Sequence, residues 1–483
     1  MANGGERALR RAVRGRVVLR YVGELCLVVG ASALVPVLGA LLLGEPRFAL
    51  PYAAGGAVLF GFGLAARRWP EPRELQRSET LVLTTAVFVL SPLAIAVPFA
   101  LHGAGWLDAL FEAVSGFTTT GMSTLGSVEG SGRTFLLARA WTQWVGGLGF
   151  VVLSLALVLE PGIATRRLGA ASLAPADVAG SMRAHARRVL LVYVGLTIFG
   201  VALLAALGAS GFDALVHALA AVSTGGFAPR DASLAPLGAP LQNGVLALSL
   251  LGAISVPLYA GLGRGRWRQL AGDVELRALL VFVVAVAGLL FVVSRAAGSD
   301  LSFGRLAQVA VSAQSTSGFA TFDAGELPGA AKAIVVLSML VGGCEGSTAG
   351  GIKLLRVLVA VRLVQWLIAE TRLPSLAVAG PTFAGYRLAP EAGLRIAAVS
   401  LLFVAVVVAS WLPFLAYGYD ALDALFEVAS ATGTVGLSVG IARPELEPVL
   451  KSVLCVDMLL GRLEILAVLV AVSPRTWIGR RPS

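Results

Sequence analysis

The feature that most constrains this chain is a succession of ten apolar runs, each of about the length that crosses a membrane as a helix. A crossing takes about 20 apolar residues, and the runs lie near residues 22–43, 49–66, 80–101, 134–159, 189–207, 241–262, 278–293, 332–361, 396–416 and 448–472. Of the 483 residues, 57% are hydrophobic and only 14% are charged, whereas an ordinary soluble domain has about 25% charged residues. The sequence therefore predicts an all-α polytopic membrane protein and excludes a disordered chain or a secreted disulfide scaffold.

The basic residues predict how the chain is oriented. Of the 38 Lys and Arg residues, 26 fall in the six segments that alternation places on the side of the N-terminus, eight fall on the opposite side and four fall inside apolar runs. Because cytoplasmic loops carry the excess of Lys and Arg, we expect ten crossings with both termini in the cytoplasm. The formal net charge of +10 is explained in the same way, without a nucleic-acid partner.

Neither a cofactor nor a catalytic centre is expected in this chain. Cys26, Cys344 and Cys455 all sit in apolar runs and lack the clustered spacing of a disulfide framework or a zinc site. The sequence holds no HExxH, GxSxG or paired-aspartate arrangement at membrane depth. An intramembrane enzyme is therefore disfavoured, and so is a pure scaffold, because a scaffold has no reason to repeat the loops that follow.

Four segments between apolar runs are similar to one another and indicate an internal repeat. Each is semi-apolar and too short to cross the membrane, which favours a re-entrant segment. Each ends in small polar residues, a glycine and a bulky apolar residue. The segments are LDALFEAVSGFTTTGM (107–122), FDALVHALAAVSTGGF (212–227), FGRLAQVAVSAQSTSGF (303–319) and LDALFEVASATGTVGL (422–437).

Each repeat is predicted to run as spanning helix, half-helix, loop and spanning helix. Non-helical backbone is tolerated at membrane depth only where protein buries it or water wets it. Four loops on one axis would present rings of carbonyls that can replace the hydration shell of a cation, and the half-helices would aim their partially negative C-terminal ends at the same cavity. The loops are loop 1 (Thr118, Thr119, Thr120, Gly121), loop 2 (Ser223, Thr224, Gly225, Gly226), loop 3 (Ser315, Thr316, Ser317, Gly318) and loop 4 (Gly433, Thr434, Val435, Gly436).

The alternative is four amphipathic helices on the outer surface, each with glycine as a C-cap. It is disfavoured because every segment lies between two spanning runs. A polar residue near the middle of each segment is expected to brace the loops through hydrogen bonds to their backbone, and these four are Glu112, His217, Gln308 and Glu427. His217 can also titrate, which leaves a pH effect open.

The third segment is predicted to be one residue longer than the others, because Gln308 precedes its glycine by ten residues rather than nine. Three half-helices are predicted to begin at N-capping aspartates, namely Asp108, Asp213 and Asp423. The run after loop 1 carries Arg139 and Gln143, which are expected to brace the loops from behind rather than to touch ions.

Together these motifs resemble the Trk/Ktr/HKT superfamily of cation channels. The matching motifs are SGFTTTG (115–121), RAWTQWVGGLG (139–149), STGGF (223–227), TSGF (316–319), GGCEGSTAGGIK (342–353), GTVGL (433–437) and MLLGRLEIL (458–466). The resemblance covers about residues 80–477, and the two extra N-terminal helices fit Trk proteins better than Ktr or HKT proteins.

The resemblance implies four M1–P–M2 repeats around a pseudo-fourfold pore, with loops 1 to 4 as a K+ selectivity filter. Some plant relatives that favour sodium have Ser in place of the first-loop glycine, so Gly121 argues for potassium. The implied divisions are 1–79 for the N-terminal helix pair and 80–165, 166–270, 271–390 and 391–483 for the repeats. A homodimer in the bacterial inner membrane is implied, together with a cytosolic, nucleotide-binding TrkA-type regulatory subunit.

A glycine-rich segment interrupts the apolar run at 332–361. Each glycine costs a helix interior roughly 1 kcal/mol relative to alanine, so the segment is not a stable helix. The family uses it as a gate below the filter, and the alternative is close helix packing through small residues. Two roles are possible for Lys353, a partner of the gate or a residue that snorkels to the membrane interface. Arg356 is expected to snorkel. The segment comprises Gly342, Gly343, Cys344, Glu345, Gly346, Ser347, Thr348, Ala349, Gly350 and Gly351.

Arg462 lies within the last apolar run, where a buried charge is costly. By resemblance it projects toward the pore beneath the filter. A pair with Asp457 or Glu464 inside the helix is disfavoured, because offsets of five and two residues do not match helical neighbours. Two roles are possible for Glu345, contact with a permeating ion or an ion pair with Lys353 or Arg462.

Two transport mechanisms are open at this point. The first is a gated pore that passes K+ down its electrochemical gradient, and the second is a Na+- or H+-coupled symporter with the same fold. Coupled transporters typically have inverted repeats, whereas these four repeats share one orientation, which favours the pore. Coupling would need a second ion site, for which Glu345 and Asp457 are the buried candidates.

Overall fold

The computed structural model describes residues 12–69, 75–158, 178–262, 272–372, 380–384, 386–388 and 390–478. Within them the fold is all-α, as predicted, apart from a hairpin of two-residue strands. Strand β1 (Thr382–Phe383) pairs antiparallel with β2 (Tyr386–Arg387), with Thr382 opposite Arg387. The chain ends and the basic segments 159–177 and 263–271, on which the predicted orientation partly rests, lie outside the described residues.

An N-terminal pair of spans precedes the repeats. Helices α1 (Gly15–Ser32) and α2 (Leu34–Leu42) form one bent span, and α3 (Ala49–Ala66) returns beside it. A Cβ on Gly30 would lie 2.7 Å from Gly56 O on α3. Small residues therefore allow these two backbones to approach closely, as is common between membrane helices.

Four units with one order of elements follow. The long first helices are α4 (Arg77–Ala100), α7 (Val178–Ala206), α11 (Val274–Ala296) and α15 (Pro390–Ala416). The half-helices are α5 (Trp106–Phe117), α8 (Gly211–Val222), α12 (Phe303–Gln314) and α16 (Ala421–Thr432). Each half-helix has 12 residues and begins 15 residues before its loop glycine. The extra residue predicted for the third segment was therefore wrong, because Phe303 corresponds to Trp106 and not to Leu107.

The inner helices after the loops are α6 (Arg133–Val158) and three split pairs. The pairs are α9 (Ala239–Gly252) with α10 (Val256–Leu262), α13 (Gly329–Val341) with α14 (Leu354–Glu370), and α17 (Pro448–Arg462) with α18 (Leu466–Val472). Helix α19 (Pro474–Trp477) ends the described chain, and 3-10 turns lie at Pro46–Phe48 and Ala324–Glu326.

Seven described spans are long and apolar enough to cross a membrane, and the other three predicted runs are the split pairs. The break at 342–353 was predicted from its glycines. The continuous helices predicted across 253–255 and 463–465 were wrong. At the first of these, backbone groups freed by the break bond to the glycine-rich segment, with Cys344 N donating to Ala253 O at 3.0 Å and Val256 N donating to Gly346 O at 3.0 Å. Tertiary hydrogen bonds thus replace the helical ones.

The half-helices are capped one turn earlier than predicted. Their N-caps are Gly105, Ser210, Ser302 and Asp420. The predicted aspartates stand three positions later, where a carboxylate still interacts favourably with the helix dipole. From there each can reach a cation, and the pairs are Asp108 with Lys451, Asp213 with Arg230, and Asp423 with Lys332.

Candidate functional site

The four loops share one backbone conformation. The second residue of every loop is a threonine in the left-handed region, with φ of +58° at Thr119, +52° at Thr224, +53° at Thr316 and +48° at Thr434. The loop glycines are left-handed too, with φ between +69° and +96°. A left-handed non-glycine residue costs of order 1–3 kcal/mol, so its recurrence in four loops means that the surrounding fold imposes this conformation.

The half-helices accept hydrogen bonds from the first three amides of every loop. In loop 1, Thr119 N donates to Gly116 O at 3.0 Å and Thr120 N donates to Ser115 O at 2.8 Å. The corresponding amides of loops 2, 3 and 4 donate in the same way to α8, α12 and α16. Three loop carbonyls themselves accept hydrogen bonds, namely Ser223 O from Thr224 Oγ1, Gly225 O from Gln143 Nε2 and Gly433 O from Gly351 N.

The loops meet in a closed cycle. A Cβ on each loop glycine would overlap the carbonyl oxygen of the third residue in the next loop, so that no side chain fits there. The glycine and oxygen pairs are Gly121 with Gly225 O, Gly226 with Ser317 O, Gly318 with Val435 O, and Gly436 with Thr120 O. The third-position carbonyls of all four repeats therefore occupy equivalent places around one centre.

Glu112 and Glu427 are both fully buried and hold the chain just beyond their loops. Glu112 accepts from Ser123 Oγ at 2.8 Å and pairs with Arg139. Glu427 accepts from Ser438 Oγ and from the amide of Val439 at 3.0 Å. Their bonds reach residues two or more positions after the loop glycine, not the loop backbone that we expected.

The other two members of this predicted layer do not brace the loops. Gln308 donates to Gln242 Oε1 at 3.2 Å and to Asn243 Oδ1 at 2.9 Å on α9. Val309 takes the place that corresponds to Glu112, so the prediction for Gln308 was wrong. His217 Nδ1 donates to Asp213 O of its own helix at 2.8 Å.

Gln143 and Arg139 on α6 brace the neighbouring loop 2. Gln143 donates to Gly225 O and accepts from Phe227 N at 3.2 Å. Arg139 donates to Ala228 O at 3.1 Å, and its guanidinium lies 3.9 Å from the centre of the Phe227 ring. These contacts are of the bracing kind that we expected, and they reach from the first repeat to the second.

The glycine-rich segment lies against the helix ends of three repeats. Gly350 N donates to Thr316 Oγ1 at 2.7 Å in loop 3, and Gly351 N donates to Gly433 O at 3.1 Å in loop 4. Thr348 Oγ1 lies 3.1 Å from Val222 O at the end of α8. A Cβ on Gly350 would overlap Gly433 O. Only a chain without side chains at such positions can pass this close beneath the loops.

Two buried cations fasten this segment. Arg462 is 1% exposed, and its Nη1 donates to Thr348 O at 2.7 Å. Lys353 Nζ donates to Ala349 O. Both charges lie over the Phe150 ring, Arg462 at 4.1 Å and Lys353 at 5.2 Å from its centre. Arg462 is the last residue of α17, not the interior residue that we predicted.

Arg356 links two breaks in the inner helices. It pairs with Glu464 at 2.7 Å, in the break after α17, and with Glu345 at 3.4 Å, in the glycine-rich segment. The predicted snorkelling of Arg356 was therefore wrong. The partner found for Glu345 is Arg356, rather than Lys353 or Arg462, and the Glu345 amide donates to Glu275 Oε1.

Three glycines of the inner helices were missed by the sequence analysis. A Cβ on Gly146, Gly252 or Gly461 would overlap the carbonyl oxygen of the last residue of the half-helix in the same repeat, namely Phe117, Val222 and Thr432 respectively. These glycines follow the loop glycines by 25, 26 and 25 residues. That nearly constant offset within the repeat is the signal that could have identified them.

Comparison with known proteins places the chain in a family. The family model described as TrkH, cation transport protein, matches residues 78–477. The Trk system potassium uptake protein TrkH of Escherichia coli K12 is 28% identical, with 96% of this chain and 99% of that protein aligned. The Trk system potassium uptake protein TrkI of Halomonas elongata is 30% identical, with 95% and 96% aligned.

The fold agrees with a solved structure. The crystal structure of the potassium transporter TrkH from Vibrio parahaemolyticus superposes on this chain with a TM-score of 0.85 at 25% sequence identity. The superposition covers 96% of this chain and 100% of the Vibrio chain. An uncharacterised cation transporter of Methanocaldococcus jannaschii is 26% identical over 94% of both chains. The chain belongs to the TrkH family of cation transport proteins.

Proposed function

We propose that this chain is the potassium-permeable membrane subunit of a Trk-type uptake system, with loops 1 to 4 as its selectivity filter. The observation that carries the proposal is the closed cycle of four loops in one left-handed conformation. The relatives named as potassium uptake proteins support the choice of ion. A bacterial inner membrane is the proposed location, with both termini in the cytoplasm.

In this proposal the loop carbonyls replace the hydration shell of K+. The first three amides of each loop are bonded to the half-helices, so the backbone groups of these residues that remain to face the centre are carbonyl oxygens. The C-terminal ends of the half-helices add a partial negative charge there. Gln143 fixes loop 2 by holding Gly225 and Phe227 together. The arrangement therefore favours a cation over an anion.

The glycine-rich segment is the proposed gate. It lies against loops 3 and 4, and two buried cations, Arg462 and Lys353, hold its carbonyls. Their positive charge beneath the filter raises the barrier to a cation. Opening then requires that the bonds from Arg462 to Thr348 and from Lys353 to Ala349 break, so that the segment moves away from the axis.

Family membership supports two partners. We infer a homodimer, and a cytosolic, nucleotide-binding TrkA-type subunit that drives the gate. Both follow from the resemblance of the whole chain to Trk proteins. K+ and the lipid bilayer complete the set of proposed partners, and no cofactor is assigned to the chain itself.

The reversal potential of purified protein in planar bilayers tests the pore mechanism. A pore gives a reversal potential that follows the K+ gradient alone. A symporter gives one that moves when only the Na+ or H+ gradient is changed, and that result would overturn the pore. Of the two buried candidates for a coupling site, Glu345 is paired with Arg356, so Asp457 is the group that such a result would implicate.

A further inference from the structure

We propose that the Asp457 carboxyl is a proton-binding site between α15 and α17, and that its ionisation loosens the gate. Asp457 lies within α17 and is 0% exposed. Ser410 Oγ on α15 is 2.6 Å from its Oδ1. Its Oδ2 is buried and has no hydrogen-bond partner among the described residues. The second half of the proposal rests on the proposed function, whereas the first half does not.

The surroundings favour the neutral acid. Asp457 borders an apolar cluster that includes Val407, Leu454, Cys455 and Met458. An ionised carboxylate at membrane depth costs several kcal/mol unless a cation or several donors satisfy it. One serine hydroxyl does not meet that need. The neutral acid can donate its own proton to Ser410 Oγ, and its remaining oxygen is then an uncharged acceptor, for which lack of a partner costs much less.

No cation is available to Asp457 from the described helices packed against α17. The charged groups of these helices are bonded elsewhere. The ion pairs are Asp108 with Lys451, Asp423 with Lys332, and Glu112 with Arg139. Glu427 is bonded to the chain after loop 4, and Arg462 is bonded to Thr348. Glu391 and Arg395 lie 15 or more residues before Ser410 on α15, which is about 22 Å along a helix. Cys455 is the titratable neighbour on α17 itself.

The same helix connects Asp457 to the gate. Arg462, five residues later, ends α17 and donates to Thr348 O in the glycine-rich segment. If Asp457 loses its proton to water, α17 must shift to bring the carboxylate to water or to a cation. Because the bond from Arg462 to Thr348 is 2.7 Å long, a shift of about 1 Å breaks it. Ionisation therefore weakens the hold on the gate.

Infrared difference spectroscopy on the purified full-length protein in lipid tests the proton site. The wild type minus Asp457→Asn is expected to show the carbonyl band of a protonated carboxylic acid at about pH 6, and the band is expected to disappear toward about pH 9. If the band is missing at about pH 6, Asp457 is ionised there and the proton site is disproved. Asn keeps the shape and the hydrogen bond to Ser410, so the variant is expected to fold.

Potassium flux into proteoliposomes tests the coupling to the gate. Wild-type flux is expected to rise about fivefold or more from about pH 6 to about pH 9, whereas Asp457→Asn stays at the low value throughout. Ser410→Ala removes a donor to the charged form, so the rise is expected to move to higher pH. Ser452→Ala is the matched control, because its hydroxyl bonds to Pro448 O of its own helix, and it is expected to behave as the wild type.

The two measurements separate the possible failures. Equal pH profiles for the wild type and Asp457→Asn, in the presence of the infrared band, overturn the link to the gate. The absence of potassium flux from every variant at every pH, with the band present, overturns the proposed function and leaves the proton site in place.

Discussion

Single glycines set how closely the backbones approach one another at the centre of the molecule. Gly461 on α17 faces Thr432 O at the end of α16, and Gly146 on α6 faces Phe117 O at the end of α5, with no room for a Cβ at either place. Other helical glycines are different, because a Cβ on Gly288 of α11 would meet no atom within 4 Å. Glycine is therefore required for close backbone approach at Gly461 and Gly146, whereas the space at Gly288 accepts a larger residue.

Gly461→Ala is expected to destabilise the protein by about 1–3 kcal/mol, because overpacking forces the two backbones apart. Gly288→Ala is the matched control and should be neutral or slightly stabilising, since alanine is the better helix former by about 1 kcal/mol. Thermal unfolding in detergent measures both. Equal melting temperatures for the two variants would contradict the close approach of α17 and α16.

The ion pair of Arg139 and Glu112 gives a second prediction. Both side chains are buried, so Arg139→Leu leaves an uncompensated carboxylate and is expected to cost about 3–5 kcal/mol. The double variant Arg139→Leu with Glu112→Gln is expected to recover part of this loss, because no charge is left buried. Arg295→Ala, at an exposed pair with Asp300, should change stability by about 1 kcal/mol or less. A double variant no more stable than the single one would refute this account.

His102 predicts a pH dependence outside the membrane. Burial lowers the pKa of His102, and this outweighs the opposite effects of the Ser131 carbonyl and Glu45. The folded state therefore binds a proton less readily than the unfolded chain, so its stability is full above about pH 6.5 and falls as the pH falls below that value. His102→Gln is expected to flatten this part of the melting-temperature profile. An unchanged slope below about pH 6.5 would argue against the prediction.

At the scale of elements, the sequence predicts the helix breaks that local residue composition causes. It misses the breaks that depend on contacts with other elements. The four loops and the break at 342–353 are predictable because their glycines exclude regular helix. The breaks at 253–255 and 463–465 carry no such composition, and the hydrogen bonds that stabilise the first of them come from the glycine-rich segment. The error at Gln308 has a similar origin, because only the fold shows that Val309 takes the place that corresponds to Glu112.

Arg356 connects two of these breaks, and this leads to a prediction about the gate. Arg356→Gln removes the charge that holds Glu464 and Glu345 together, so the glycine-rich segment is expected to loosen and potassium flux to rise severalfold. Arg362→Gln, on the exposed part of the same helix, is the control and should leave flux unchanged. Flux in Arg356→Gln at or below the wild-type value would count against this role.

At the scale of the whole molecule, each inner helix reaches the half-helix or loop of the next repeat. Gln143 of the first repeat bonds to loop 2, Gln242 of the second contacts Gln308 of the third, and Lys332 of the third pairs with Asp423 of the fourth. Lys451 of the fourth pairs with Asp108 of the first and closes the cycle. Two of these joints are lysine–aspartate pairs and the other two use glutamine, so the backbone repeats fourfold but the side-chain chemistry does not.

The N-terminal helix pair contacts the first repeat at the start of α6 and the end of the fourth repeat through Val13 N, which donates to Thr476 O at 3.0 Å. The Glu45 carboxylate accepts from the amides of Arg133 at 3.1 Å and Thr134 at 2.9 Å, and so caps α6. Trp141 Nε1 donates to Ser32 O at 2.9 Å. The sequence predicts the existence of this pair from its apolar runs, but these contacts depend on the fold. The division at residue 79 stays a prediction.

The central claim is that the four loops select potassium, and the ratio of potassium to sodium flux in proteoliposomes tests it most directly. We predict a wild-type ratio well above one, which Gly121→Ser lowers toward one because Gly121 is left-handed and a Cβ there would overlap Gly225 O. Gly130→Ser, at a position with open space around it, should keep the wild-type ratio. Equal potassium and sodium fluxes in the wild type, or a ratio that Gly121→Ser leaves unchanged, would contradict the claim.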